Sequence, residues 1–103
     1  MKKLISLYLC GPMTGFSKHN AYLFRKYSKL LRKKGYAVIS PIELDGGRIN
    51  LKWEECMKRD LKMMVDCDKV VTFPNYYISR GATFEVFVAA TLGIPVYPIK
   101  AFL

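Results

Sequence analysis

With 103 residues, 51% of them hydrophobic and 24% charged, the chain has the size and composition of one globular domain, residues 1–103, and neither disorder nor a fibrous architecture is expected. Its longest apolar run is broken by Glu85 and falls short of the roughly 18 residues that cross a bilayer, so no membrane partner is expected. Three cysteines without paired spacing and a single His19 give neither a disulfide framework nor a metal site, and a reducing cytoplasm with no cofactor is the expected setting.

Met1-Lys2-Lys3 before Leu4 to Cys10 has the outline of a signal peptide, but Ser6 and Tyr8 interrupt the apolar block. The segment reads instead as a strand that stops at Gly11-Pro12-Met13-Thr14-Gly15, a loop. From Ala21 to Lys34, Leu23, Phe24, Tyr27, Leu30 and Leu31 form the stripe of an amphipathic helix, with Asn20 as N-cap and Gly35 just past the end. Tyr36 to Ser40 is a short strand closed by Pro41, and Pro41 to Asn50 reads as a loop. A second helix runs from about Leu51 to Val65, with Trp53, Met57, Leu61 and Met64 facing inward. Lys69 to Phe73 is a compact strand, Asn75 to Arg80 a polar and aromatic loop, Ala82 to Leu92 a helix closed by Gly93, and Ile94 to Ile99 a last strand. Pro95 and Pro98 mark this last strand as an edge or a short one.

Strands alternating with helices predict an α/β fold with a parallel sheet covered on both faces. Ligands in such sheets sit beyond the carboxyl ends of the strands. The loops Gly11 to Asn20, Pro41 to Asn50 and Pro74 to Arg80 therefore matter most, together with the aromatics Phe16, Tyr76 and Tyr77 and the start of the Glu85 helix. Free N–H groups there, beside Ser79 and Gly81, suit a phosphate.

Two acidic residues stand out. Glu85 is the single charge between Gly81 and Gly93, in a helix apolar on nearly every side, and an isolated buried charge costs several kcal/mol. Asp60 lies seven residues after Trp53 and four before Met64, on the apolar face of its helix. Each has a plainer account: Glu85 offsetting the helix dipole, and Asp60 pairing with Arg59, Lys58 or another base. Asp66 and Asp68 read as turn residues before the third strand. The net charge of +9 is concentrated at Lys26, Lys29, Arg32, Lys33 and Lys34 and at Lys58, Arg59 and Lys62, read as outer helix faces. It attracts phosphorylated ligands or nucleic acid without choosing between them.

Tyr8-Leu9-Cys10-Gly11-Pro12-Met13-Thr14-Gly15, then Asp60-Leu61 with Asp68, then Ser79-Arg80-Gly81-Ala82-Thr83-Phe84-Glu85 resemble, in this order and spacing, the signature segments of the nucleoside 2-deoxyribosyltransferase family. That family includes the 2'-deoxynucleoside 5'-phosphate N-hydrolases, and Ser40-Pro41-Ile42-Glu43, Trp53 and Asn20 look like features of its short phage-type subgroup. The resemblance implies a flavodoxin-like, Rossmann-like three-layer fold with a mostly parallel sheet of four to five strands. It implies cleavage of the N-glycosidic bond of a 2'-deoxynucleoside or its 5'-monophosphate, with hydrolysis or transfer to another base. By position Glu85 matches the nucleophile, Asp60 the aspartate handling the proton of the departing base, and Tyr8 the tyrosine orienting the nucleophile. Gly11, Pro12, Met13, Thr14, Gly15, Asn20, Ser79, Arg80 and Gly81 fall at substrate-binding positions, and a homodimer or higher homo-oligomer is implied. A subunit-borne residue downstream of the nucleophile helix commonly completes the pocket in that family, and Ile94 to Leu103 offers no obvious equivalent.

An oxocarbenium-like transition state needs one carboxylate to attack the sugar carbon and another acidic group to protonate the leaving group. The resemblance therefore carries an expectation about charge: Glu85 ionised near a helix start, Asp60 more protonated on its apolar face. Two other classes remain open from the residues: a non-catalytic nucleotide-binding module, and a basic protein binding nucleic acid. No recognition-helix motif or regular aromatic stacking pattern favours the latter.

Overall fold

The computed structural model describes residues 3–13, 20–46, 48 and 50–103. Four strands, β1 (Ser6–Cys10), β2 (Ala37–Ile39), β3 (Lys69–Thr72) and β4 (Val96–Pro98), make one sheet in the order β2-β1-β3-β4. Every pairing is parallel, with Tyr8 beside both Ile39 and Val70. The helices α1 (Ala21–Lys33), α3 (Trp53–Met64) and α4 (Arg80–Thr91) provide the crossovers, giving a three-layer α/β fold as expected.

Period-two alternation along β1 divides the interior into two halves. Leu7 and Leu9 join Phe24 and Leu31 of α1, Val38, Val71, Phe73 and Ile99 on one side of the sheet. Tyr8 and Cys10 join Met64 of α3, Cys67, Val70, and Ala82 and Ala89 of α4 on the other. Glycine is forced at Gly11 because a Cβ there would lie 2.2 Å from the Phe73 ring. The chain thus leaves β1 pressed against the first half of the core.

Several element bounds differ from the sequence reading. Pro41–Asp45 is a short helix, α2, within the expected loop: Pro41 occupies its first turn and Gly46 closes it with φ 61°. Asn20 precedes α1 in a left-handed conformation and makes no capping bond; its amide donates to the Pro12 carbonyl at 3.0 Å, tying the helix start to the loop after β1. A single 3-10 turn, Tyr76–Ile78, sits in the loop after β3. The last strand is shorter than the apolar run, lies at the sheet edge as its prolines require, and leads into a 3-10 turn at Ile99–Phe102. Asp68 joins β3 to β1 by accepting from the Ser6 N–H at 2.8 Å and the Ser6 hydroxyl at 3.1 Å. Among the described residues no helix is long and apolar enough to cross a membrane.

Candidate functional site

At the carboxyl ends of β1, β2 and β3 the structure has a cavity of about 220 Å³. Gly11 and Met13 approach it from the loop after β1, Pro41 and Asp45 from α2, and Arg48 and Leu51 from the connection to α3. Trp53, Cys56, Met57, Arg59 and Asp60 of α3 form one wall, and Ser79, Gly81, Ala82 and Glu85 the wall at the start of α4. Glu85 and Asp60, 25 residues apart in the chain, thus face one space.

Glu85 is 5% exposed. Its place is set by the cap of α4: Ser79 Oγ accepts from the Ala82 N–H at 3.2 Å, which starts the helix at Arg80 and turns position 85 toward the sheet. Tyr8 and Cys10, two residues apart on the same face of β1, meet it there. The Tyr8 hydroxyl donates to Glu85 Oε2 at 2.5 Å, and the Cys10 thiol donates to Oε1 at 3.4 Å while also lying 3.3 Å from the Ala82 carbonyl. Burial pushes Glu85 up to about 7, opposed by the Tyr8 bond. Burial and the neighbouring carboxylates hold both Tyr8 and Cys10 well above their ordinary values, so both remain proton donors at neutral pH.

Asp60 is also 5% exposed, but it has a cation. Arg59 donates to Asp60 Oδ1 from Nε at 3.0 Å and from Nη2 at 2.8 Å, and the same Nη2 reaches Asp45 Oδ1 at 2.7 Å. Burial holds Asp60 above the ordinary aspartate range, and Arg59 opposes that rise without cancelling it. The expected rise of Asp60 is present, but the expected ionised Glu85 is not: among the described residues Glu85 has only neutral donors against it, whereas Asp60 has a guanidinium. That contact also moves Arg59 out of the outer basic face, where its spacing from Lys58 and Lys62 had placed it. Those two lysines are exposed, as are Lys26, Lys29, Lys33 and Lys34.

Of the remaining candidate residues, Gly11, Met13, Ser79 and Gly81 line the cavity. Gly81 has little room for anything larger, since a Cβ would lie 3.2 Å from Met57 Sδ and 3.6 Å from Trp53 Nε1. Tyr8 stands behind Glu85, fully buried. Pro12 and Asn20 brace each other outside the lining, and Arg80 is exposed with its guanidinium 4.0 Å above the Trp53 ring. Tyr76 and Tyr77 pack edge to face, 6.1 Å apart, away from the lining. Thr14, Gly15, Phe16 and His19 lie outside the described residues. The pairing of Asp60 with Arg59, one of the plainer accounts of Asp60, is present, whereas Asp45, Arg48 and Cys56 had no role in the sequence reading. Arg59 carried one signal, its adjacency to Asp60; Asp45 carried none, because α2 was not foreseen.

Solved structures that share the fold include the following three. A 2-deoxyribosyltransferase from Bacillus psychrosaccharolyticus superposes with a TM-score of 0.72 at 24% identity, covering 90% of this chain and 70% of that one. One from Leishmania mexicana gives 0.71 at 18% identity, covering 91% and 63%, and a conserved protein from Enterococcus faecalis V583 gives 0.61 at 22% identity, covering 93% and 63%. The chain therefore spans less than two thirds of the length of the latter two. No curated protein matches the sequence. A family model described as a domain of unknown function, DUF4406, matches residues 5–98, and the chain belongs to that family.

Proposed function

We propose that residues 1–103 form a single nucleoside 2-deoxyribosyltransferase-like domain that cleaves the N-glycosidic bond of a 2'-deoxynucleoside or its 5'-monophosphate. The observation that carries this reading is the meeting of Glu85, gripped by Tyr8, with Asp60 in one cavity. Glu85 attacks C1' of the sugar as the bond to the base breaks, forming a glutamyl-sugar ester; the electron pair of the broken bond leaves on the base, which takes a proton through Asp60. A water then attacks the same carbon, the bond to Glu85 breaks and the water's proton passes to Asp60, restoring the pair; a second base that attacks instead, losing its N–H proton the same way, completes a transfer. Glu85 must be ionised to attack. One proton shared by the two carboxylates meets both needs when it leaves Glu85 and reaches the base by way of Asp60.

A 5'-phosphate is favoured by the N–H groups at the start of α4, beside Ser79 and Gly81, and by Arg48 in the lining, with Arg80 stacked on the lining residue Trp53. The fold likeness to 2-deoxyribosyltransferases agrees with this assignment, as does the resemblance to the short phage-type members. The free thiols of Cys10, Cys56 and Cys67 support a cytoplasmic setting as part of this proposal.

The working unit is proposed to be a homodimer. Phe84 and Phe87 of α4 are 45% and 65% exposed, Tyr77 and Ile78 before it are 68% and 59% exposed, and the helix carries no charge on this outer side after Arg80. Phe87→Lys is expected to convert the dimer to monomer in sedimentation velocity, and a wild-type monomer at high concentration would remove the idea.

The function is tested by incubating the protein with 2'-deoxynucleosides, their monophosphates and a ribonucleotide control, and separating free base chromatographically. Base release from deoxy substrates is expected, and a second base in the same tube distinguishes transfer from hydrolysis. Ligand-induced stabilisation without any base release would make the protein a nucleotide-binding module instead.

A further inference from the structure

The two carboxylates of the cavity are held by different chemistry. Glu85 receives an O–H and an S–H, both neutral. Asp60 receives two N–H groups of one guanidinium, and that guanidinium is itself anchored on a second helix through Asp45, which is 6% exposed. We infer that Asp45 and Arg59 are a positioning device for Asp60: the tethered guanidinium holds Asp60 as an oriented anion and leaves the pocket's proton to Glu85. The inference rests on the reading of Glu85 and Asp60 as the reacting pair and adds residues which that reading does not use.

Three features of the geometry support it. Both nitrogens of Arg59 converge on Oδ1, the charge-assisted arrangement that favours the ionised form, and no other side-chain bond to Asp60 is present among the described residues. Arg59 and Asp60 are adjacent on α3, so their side chains diverge unless something draws the arginine inward; Asp45 supplies that pull at 2.7 Å. The tether is itself fixed, because α2 closes at Gly46 and Arg48 Nε donates back to the Asp45 carbonyl at 3.0 Å.

Among the described residues, every charged or titratable group facing this cluster fits the same division. From α3 come Arg59 and Cys56, from α2 Asp45, from α4 Glu85, from β1 Tyr8 and Cys10, and from the connection to α3 Arg48. Asp45 and Glu85 repel a charge on Asp60, and the Arg59 contact opposes them. Tyr8 and Cys10 keep their own protons. Among the described residues the acid without a cation in contact is Glu85, which is where the proton rests while the pocket is empty.

The test is a per-site carboxyl 13C NMR titration of the full chain labelled in aspartate and glutamate, with no substrate present. In the wild type Asp60 is expected to titrate below Glu85. Arg59→Gln should move the Asp60 midpoint upward by about one pH unit or more, the size of effect an adjacent arginine has on a carboxylate. Arg59→Lys, which keeps the charge but loses the second N–H, should fall between them, and Asp45→Ala should broaden the Arg59 Nε–H resonance. An Asp60 midpoint above that of Glu85 in the wild type overturns the inference without any variant. An Asp60 midpoint unmoved in folded Arg59→Gln overturns it as well. Failure to release base would sink the functional reading yet leave this titration decisive, so the two failures are distinguishable.

Discussion

The two faces of the sheet solve different problems with the same strands. Toward α1, β1 presents Leu7 and Leu9 to Phe24, Leu31 and Phe73, an apolar packing in which Phe24 and Phe73 sit 4.6 Å apart. Toward α3 and α4, the alternate residues Tyr8 and Cys10 are just as deeply buried, yet they meet a carboxylate. One face gains stability from burial at about 25 cal/mol per Å² of apolar surface. The other gives some of it up to keep two acids out of water, the pattern of a site whose chemistry competes with stability.

Substitutions on either face should separate these roles. The largest effect is expected from Glu85→Gln, which should lower base release by roughly 10⁴-fold or more, as loss of a nucleophile does, with circular dichroism unchanged. On the opposite face, Phe24→Ala should cost about 3–5 kcal/mol in urea unfolding while leaving turnover per folded molecule near the wild-type value.

Glu85→Gln should also reveal the stability cost of the acid. Glu85 titrates at about 7 when folded and near 4.3 when unfolded, so between these values the folded state binds the extra proton. The stability linked to this group is full below the unfolded value and is lost as pH rises through 7. At pH 8 the variant should therefore exceed the wild type by about 4 kcal/mol, one unit being about 1.4 kcal/mol, and the gain should vanish near pH 4. Unfolding curves at the two pH values check the sign. The smallest effect is that of Tyr8→Phe: about a 10²-fold loss of activity, comparable to removing one preorganised donor. Because the Tyr8 bond pulls Glu85 down, the falling limb of the pH–rate profile, where the pair loses its shared proton, should move to higher pH in this variant.

How far the sequence revealed these two faces depended on the range of the signal. The α1 face was legible because Phe24, Tyr27 and Leu31 repeat at helical spacing, and the sheet because short apolar runs alternate with helices. Glu85 and Asp60 were visible as acids where periodicity demands apolar residues. Their charge states were not, since these depend on a contact between Arg59 and Asp45, 14 residues apart and joined through a helix hidden behind Pro41 and two glycines. Trp53 read as core and Arg80 as a substrate-binding position, and their pairing was not visible, because a stacking contact across 27 residues leaves no local trace.

The central claim, that Glu85 forms a bond to the sugar with Asp60 serving the base, is tested most directly by mass spectrometry of protein quenched during turnover of a 2'-deoxynucleoside 5'-monophosphate. The account predicts a deoxyribosyl phosphate adduct on the peptide bearing Glu85, absent in Glu85→Gln. Base release at the wild-type rate in Glu85→Gln, or an adduct on another residue, would contradict it.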